Sequence, residues 1–266
     1  MTDFQYCGDL VRQYDTDRYV LSLLYPKAQR EALWALFAFN HEIAKTREVV
    51  TETATGLIRL QWWRDAVGKI YDGEILEHEV VKPLADVIKR YDLSRETFEH
   101  SVYAREFDVE DRQPTDMQGM LKYAELTTAP LNELVLKVLG EEAEDDVLRD
   151  VSVHFAVVGL LRAVPFHLHQ RRCYLPESLM AGHGVSVSKL YDWKKYEALV
   201  PVVESILEEI SAYAGTTAMR SRFLKASHKL SAIYLKQIVK SGYNVFDPQI
   251  QIEPPFKVLR VWMGGF

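Results

Sequence analysis

Apolar residues in this chain recur every three or four positions, and no run of useful length alternates; that step limits the fold more than any other feature. In "PKAQREALWALFAFNHEIAKTREVV", Leu33, Leu36, Phe37, Asn40, Ile43, Ala44 and Arg47 follow this spacing, which predicts a helix over about 27–48. Pro26 suits its start, because proline fits the first turn, where the missing N–H costs nothing. "GLIRLQWWRDAVGKIY" predicts a second helix ending at Asp72-Gly73. "VVKPLADVIKRYD" and "SRETFEHSVYAREFDVE" follow, with Ser94 placed to cap the latter. "TDMQGMLKYAELTTAPLNELVLKVLG" predicts a long helix that stops at Gly140 and kinks at Pro130. "DVLRDVSVHFAVVGLLRAV" and the stretches near 196–214 and 218–241 complete the set. There is no hairpin signal, linker composition or repeat. The expectation is one all-α domain over residues 1–266.

Composition narrows the function classes. The chain is 48% hydrophobic and 26% charged, enough apolar material for a packed core. Its net charge of −6 gives no basic balance for nucleic acid, so no nucleic-acid partner is expected. Cys7 and Cys173 form no CxxC or zinc spacing and suggest a reducing compartment. "MTDFQYCGDLVRQYDTDRY" carries Asp3, Asp9, Asp15 and Asp17, unlike a signal peptide or an acid-poor presequence. The longest apolar stretch, around 151–168, is interrupted by His154, Arg162 and Pro165, short of a membrane span. These features predict a cytoplasmic chain that is soluble or peripheral at a membrane.

Several residues do not fit plain amphipathicity. Arg162 interrupts an apolar helix in "AVVGLLRAVPFHLHQRRCYLP" with no carboxylate beside it. A buried arginine needs something to hold. Asn40, Ala44, Arg47 and Glu48 lie on the core stripe of their helix; Gln61, Arg64, Asp65 and Gly68 share a face of the next; Tyr123 and Thr127 lie on another. Two readings compete: a polar-tipped cavity between helices, or ordinary polar helix ends. His167 and His169, with His154 and His183, form a His-x-His pattern, but without a carboxylate or cysteine partner no metal is expected. Asp65 reads as a base or, more simply, as a partner of Arg64 or Lys69. Trp62 and Trp63 are adjacent, so only one can face the core. "PPFKVLRVWMGGF" either touches a membrane or partner surface or packs back on the bundle.

Five blocks, in order, carry a family resemblance: "YVLSLLYPKAQREALWALFAFNHEIAKTRE", "LQWWRDAVGKIYDGE", "YAELTTAPLNELVLKVLG", "LLRAVPFHLHQRRCYLP" and "YLKQIVKSGYNVF". Together they resemble the squalene/phytoene synthase superfamily. The resemblance implies a single helical bundle of the isoprenoid synthase type around a central cavity. Enzymes of that family join two prenyl diphosphates with Mg²⁺ held by two aspartate-rich motifs. Mapped onto this chain, the first motif's acidic positions fall at Ala44, Lys45 and Glu48, and only Glu48 is acidic. The second motif's aspartates fall at Ala163 and His167, and a nearby asparagine falls at Gly159. The arginine before that motif is kept as Arg162, and Tyr123, Arg172, Tyr174, Leu175 and Pro176 are kept as well.

Magnesium wants hard oxygen ligands in near-octahedral geometry, which one carboxylate, a lysine and a histidine do not supply. "AFNHEIAKTRE", "GLIRLQWWRDA" and "RRCYLPESLMAGHGVS" resemble a divergent branch that includes the mitochondrial assembly factor of respiratory complex I and its bacterial relatives. That resemblance implies a non-catalytic protein without a cofactor. It would bind an isoprenoid or anionic lipid, or a protein partner in respiratory complex assembly, at the inner membrane and, in a eukaryote, on its matrix side. Arg162, Arg172, Tyr123, Lys45 and Arg47 are then the expected contacts to an anionic head group. The bland counterpart is that these cations pair with Glu48, Asp65 and Glu177 around a partly collapsed cavity. The alternative function is a prenyl diphosphate transferase with a rearranged site, which alone would require Mg²⁺.

Overall fold

The computed structural model describes residues 2–191, 196–214 and 219–264. The chain is 75% helical, with no strand among the described residues, as the spacing predicts. No described helix is long and apolar enough to cross a membrane. The residues cluster into two compact units, Met1–Arg112 with Leu126–Glu142, and Gln113–Glu125 with Ala143–Phe266.

The first unit begins with α1 (Asp3–Tyr14) and α2 (Thr16–Ser22). Thr2 caps α1, its side chain accepting from Gln5 N–H, and Asp15 caps α2 through Arg18 N–H. α3 (Lys27–Ala44) buries Leu33, Leu36, Phe37 and Ile43 completely. Gly8 lets α1 lie against α3, because a Cβ there would stand 2.6 Å from the Trp34 ring. α3 stops at Lys45, short of the predicted 48, and the short α4 (Thr46–Val49) follows.

α5 (Thr53–Tyr71) ends in a turn at Gly73, whose φ of +86° suits glycine. Trp63 on α5 is 1% exposed while Trp62 is 39% exposed, so only one tryptophan faces the core. α6 (Val81–Tyr91), α7 (Arg95–Ala104) and α8 (Glu106–Val109) follow. Ser94 stands at the N-cap of α7 but makes no side-chain capping bond. Phe39 meets Trp63 and Phe98 edge to face, at 5.6 and 5.3 Å between centroids, which knits α3, α5 and α7 together.

α9 (Met117–Leu139) carries Pro130 within it and gives its first residues to the second unit, the rest to the first. It stops where predicted, at Gly140 with φ +66°.

The second unit contains α10 (Asp145–Arg162), α11 (Val164–His169), α12 (Glu177–Gly182), α13 (Val187–Tyr191), α14 (Val200–Ile210), α15 (Arg222–Lys240), α16 (Pro248–Gln251) and α17 (Lys257–Gly264). α10 packs along α15, where His154, 1% exposed, lies 2.8 Å (Nδ1) from Ser231 Oγ. Burial, and then His228, pushes the His154 pKa down to about 4, so the ring stays neutral in the core.

Both cysteines are free and buried. Burial pushes the Cys7 thiol up to about 12 and the Cys173 thiol up to about 11.

Candidate functional site

α10 is apolar along most of its inner face until its last residue, Arg162, which is half-buried. Its guanidinium carbon lies 3.4 Å from the centroid of the Tyr234 ring on α15. A cation over the negative face of an aromatic ring gains about 0.5–2 kcal/mol, depending on desolvation. The π face of Tyr234 is thus one answer to the charge that the sequence leaves without an adjacent carboxylate. The Tyr234 hydroxyl accepts from Lys257 Nζ at 3.4 Å, and Lys257, 8% exposed, is held in turn by Glu253 at 2.5 Å. The Arg162 carbonyl accepts from Gln251 Nε2 at 2.8 Å, tying the end of α10 to α16.

Beside this assembly is a cleft of about 480 Å³ lined by Gly159, Arg162, Ala163, Pro165, Phe166 and Gln251. Small residues keep it open: a Cβ built at Gly159 would meet nothing within 4 Å. None of the lining side chains is a carboxylate.

A second cluster gathers three more of the sequence-predicted residues. Tyr123 stacks on Tyr174, with centroids 5.1 Å apart, and His167 meets Tyr174 at 4.7 Å and 67°. His167 Nδ1 is buried with no hydrogen-bond partner among the described residues. Burial, and then the neighbouring Arg172, pushes the His167 pKa down to about 4. The group at this position is therefore a neutral imidazole at neutral pH. Arg172 donates through Nη2 to Gln170 Oε1.

In the first unit, Ala44, Lys45, Arg47 and Glu48 stand together where α3 gives way to α4. Lys45 Nζ lies 2.5 Å from Glu42, a carboxylate only 4% exposed that also accepts from Arg59 at 3.0 Å. Arg47 grips Asp111 with two bonds of 2.7 Å and donates to the Val50 carbonyl. Glu48 is exposed.

The charge partners differ from those the sequence suggests. The carboxylates that Lys45 and Arg47 meet are Glu42 and Asp111. Asp65 accepts from Gln61 at 2.7 Å, while Arg64 pairs with Glu106 and Lys69 with Glu74. Asn40 accepts from Arg105 at 3.2 Å. Among the described residues, no group of three His, Cys, Asp or Glu side chains is placed to hold a metal ion.

Sequence reasoning missed Glu42, Asp111, Tyr234 and Gln251. Glu42 had a signal, its three-residue spacing from Lys45. Asp111, Tyr234 and Gln251 are 64, 72 and 89 positions from their partners, so no local spacing could reveal them.

Comparison with known proteins agrees with this architecture. The "NADH dehydrogenase (ubiquinone) complex I, assembly factor 6" of Bos taurus is 28% identical over 260 residues, covering 93% of this chain and 77% of that protein. The "Phytoene synthase" of Thermus thermophilus is also 28% identical, over 186 residues that cover 68% of this chain and 62% of that protein. A crystal structure of a dehydrosqualene synthase in complex with ligand superimposes with a TM-score of 0.83 at 16% identity, covering 99% of this chain and 95% of that one. At that identity the superposition establishes the isoprenoid synthase type of fold. The family model "Squalene/phytoene synthase" matches residues 11–255, and the chain belongs to that family.

Proposed function

We propose that this chain is a non-catalytic member of the squalene/phytoene synthase family that helps assemble respiratory complex I and holds an isoprenoid or anionic lipid. The observation that carries the non-catalytic reading is chemical. Where the family's second metal-binding motif falls, this chain has Ala163, which has no donor atom, and His167, a buried neutral imidazole. Magnesium dehydrates reluctantly and prefers carboxylate and water oxygens, so these residues do not fit it. At the first motif, the carboxylate nearest Lys45 is Glu42, already engaged by two cations.

The assembly role is supported by extent. The match to the assembly factor covers 93% of this chain, against 68% for the phytoene synthase at the same identity. That relation also argues for a protein partner in complex assembly and for a mitochondrial site of action, or the equivalent membrane in a bacterium. The lipid reading rests on Arg162. A guanidinium stacked on a ring keeps its N–H donors in its own plane, the geometry by which arginine grips phosphate without a bridging metal. Gly159, Ala163, Pro165 and Phe166 supply the mostly apolar wall beside it.

Three measurements test the reading. Incubation with farnesyl diphosphate and Mg²⁺ releases no diphosphate; robust Mg²⁺-dependent release would establish the prenyl transferase instead. A fluorescent anionic lipid binds with EDTA present, and Arg162→Ala weakens it by about 1.5–3 kcal/mol; equal affinity of the two proteins removes the lipid from the proposal. Deletion in the host lowers assembled NADH dehydrogenase activity on a native gel, and unchanged activity removes the assembly role.

A further inference from the structure

Charge and apolar surface are unevenly distributed in the second unit. Residues 220–266 contain eight Lys and Arg against two acids, a net +6 within a chain whose total is −6. Five of these cations, Arg222, Lys225, Lys229, Lys236 and Lys240, lie on α15, which has no acidic residue. At about 100° per residue their positions fall within an arc of about 60°, so they form one stripe along the helix. Lys229, Lys236 and Lys240 are exposed, and no described carboxylate lies within ion-pair distance of them.

α16 and α17 pack against α15: Gln237 donates to the Ile252 carbonyl, and Lys257 donates to Tyr234. α17 uses Lys257 and Val261, 8% and 0% exposed, as its inner side. The segment therefore does pack back on the bundle. Its outer side remains apolar. Val258, Leu259, Trp262 and Met263 are 49%, 51%, 48% and 58% exposed, and Phe256, just before the helix, is 79% exposed. On a helix these four positions span about 140° and contain no charge.

We propose that the exposed side of α17 and the lysine stripe of α15, the helix it packs on, act together as a docking surface for an anionic lipid bilayer. Each half of the surface asks for a different property of the same partner. Tryptophan, methionine and branched apolar side chains on an exposed helix are stabilised at the boundary between head groups and acyl chains. Exposed lysines on α15 are drawn to the negative surface potential within a Debye length of about 8–10 Å. Nucleic acid would satisfy the lysines but leave the apolar arc in water. A protein groove would cover the arc without needing an unbalanced stripe. None of Val258, Leu259, Trp262 and Met263 is among the residues that line the Arg162 cleft, and the docking requires no ligand there.

The experiment is vesicle co-sedimentation of the whole chain. Vesicles of phosphatidylcholine containing roughly one-third phosphatidylglycerol retain the protein, pure phosphatidylcholine vesicles retain much less, and added salt releases it. Lys229→Gln, Lys236→Gln and Lys240→Gln each lower partitioning by about fivefold. Val258→Ser with Leu259→Ser and Met263→Ser abolishes retention even at low salt, with unchanged circular dichroism as the control for folding. If that triple variant does not fold, brominated anionic lipid added to the native protein decides, by quenching tryptophan fluorescence. Equal retention on neutral and anionic vesicles, no quenching, or binding to a DNA fragment but not to vesicles overturns the proposal. So does a dimer that Leu259→Ser dissociates, which would assign the face to a second copy.

Discussion

Two side chains decide the local balance of charge. Glu42 is 4% exposed and answers both Lys45 and Arg59. Replacing it by Gln removes charge-assisted bonds, so Glu42→Gln is expected to lower stability by about 1.5–3 kcal/mol in urea denaturation. Tyr234 contributes a ring to Arg162 and a hydroxyl to Lys257. Tyr234→Phe keeps the ring and loses about 1 kcal/mol at most, while Tyr234→Leu also loses the cation–π contact and falls by a further ~0.5–2 kcal/mol. A variant pair of equal stability would show that the ring face contributes nothing. At this scale the sequence marks which residues are odd better than what they touch. Arg162 stands out as a charge in an apolar run, and Arg47 and Glu48 as charges on a core stripe. That Arg162 stacks on an aromatic ring, and that Arg47 reaches Asp111, depends on how distant segments meet, which periodicity does not encode.

Pairs of helices carry the next level. The contact of α10 with α15 encloses His154, His228 and Ser231, and the two imidazoles stand 5.0 Å apart between centroids. Burial lowers both pKa values, His154 to about 4. The unfolded chain, with histidine near 6.5, therefore takes up protons first as pH falls. Stability is complete above pH 6.5 and declines as pH drops toward 4, by up to about 1.4 kcal/mol per pH unit for each such histidine. Urea midpoints measured from pH 7 to pH 5 are expected to fall, and His154→Gln to flatten the slope; a slope unchanged by this variant would place the protonation elsewhere. The sequence reads this level well where helices are long and apolar: α5, α9 and α10 end at or within a residue or two of the predicted stops. It misses α1 and α2, because Asp3, Asp9, Asp15 and Asp17 mask a spacing in which Cys7, Gly8 and Val11 form the buried face.

For the whole molecule, the all-helical fold was legible because one period runs through nearly every segment, and no local turn competes with it. The total of −6 conceals a basic final fifth, and the lysines of α15 share a side once that segment is known to be one continuous helix. Composition averages over a surface that a partner meets one face at a time. The two thiols give a last prediction. With Cys7 0% and Cys173 9% exposed, and their pKa values raised to about 12 and 11, hardly any thiolate is available at neutral pH. Ellman's reagent is expected to react negligibly with the native protein and with two thiols per chain in denaturant; fast reaction of either thiol in the native protein would contradict its burial. The natural chain is thus already a silent background for site-directed labelling. A single new cysteine at Val258 would take a nitroxide or dye alone, without replacing either native cysteine, and so make the exposed side of α17 directly observable by spectroscopy in the otherwise unaltered protein.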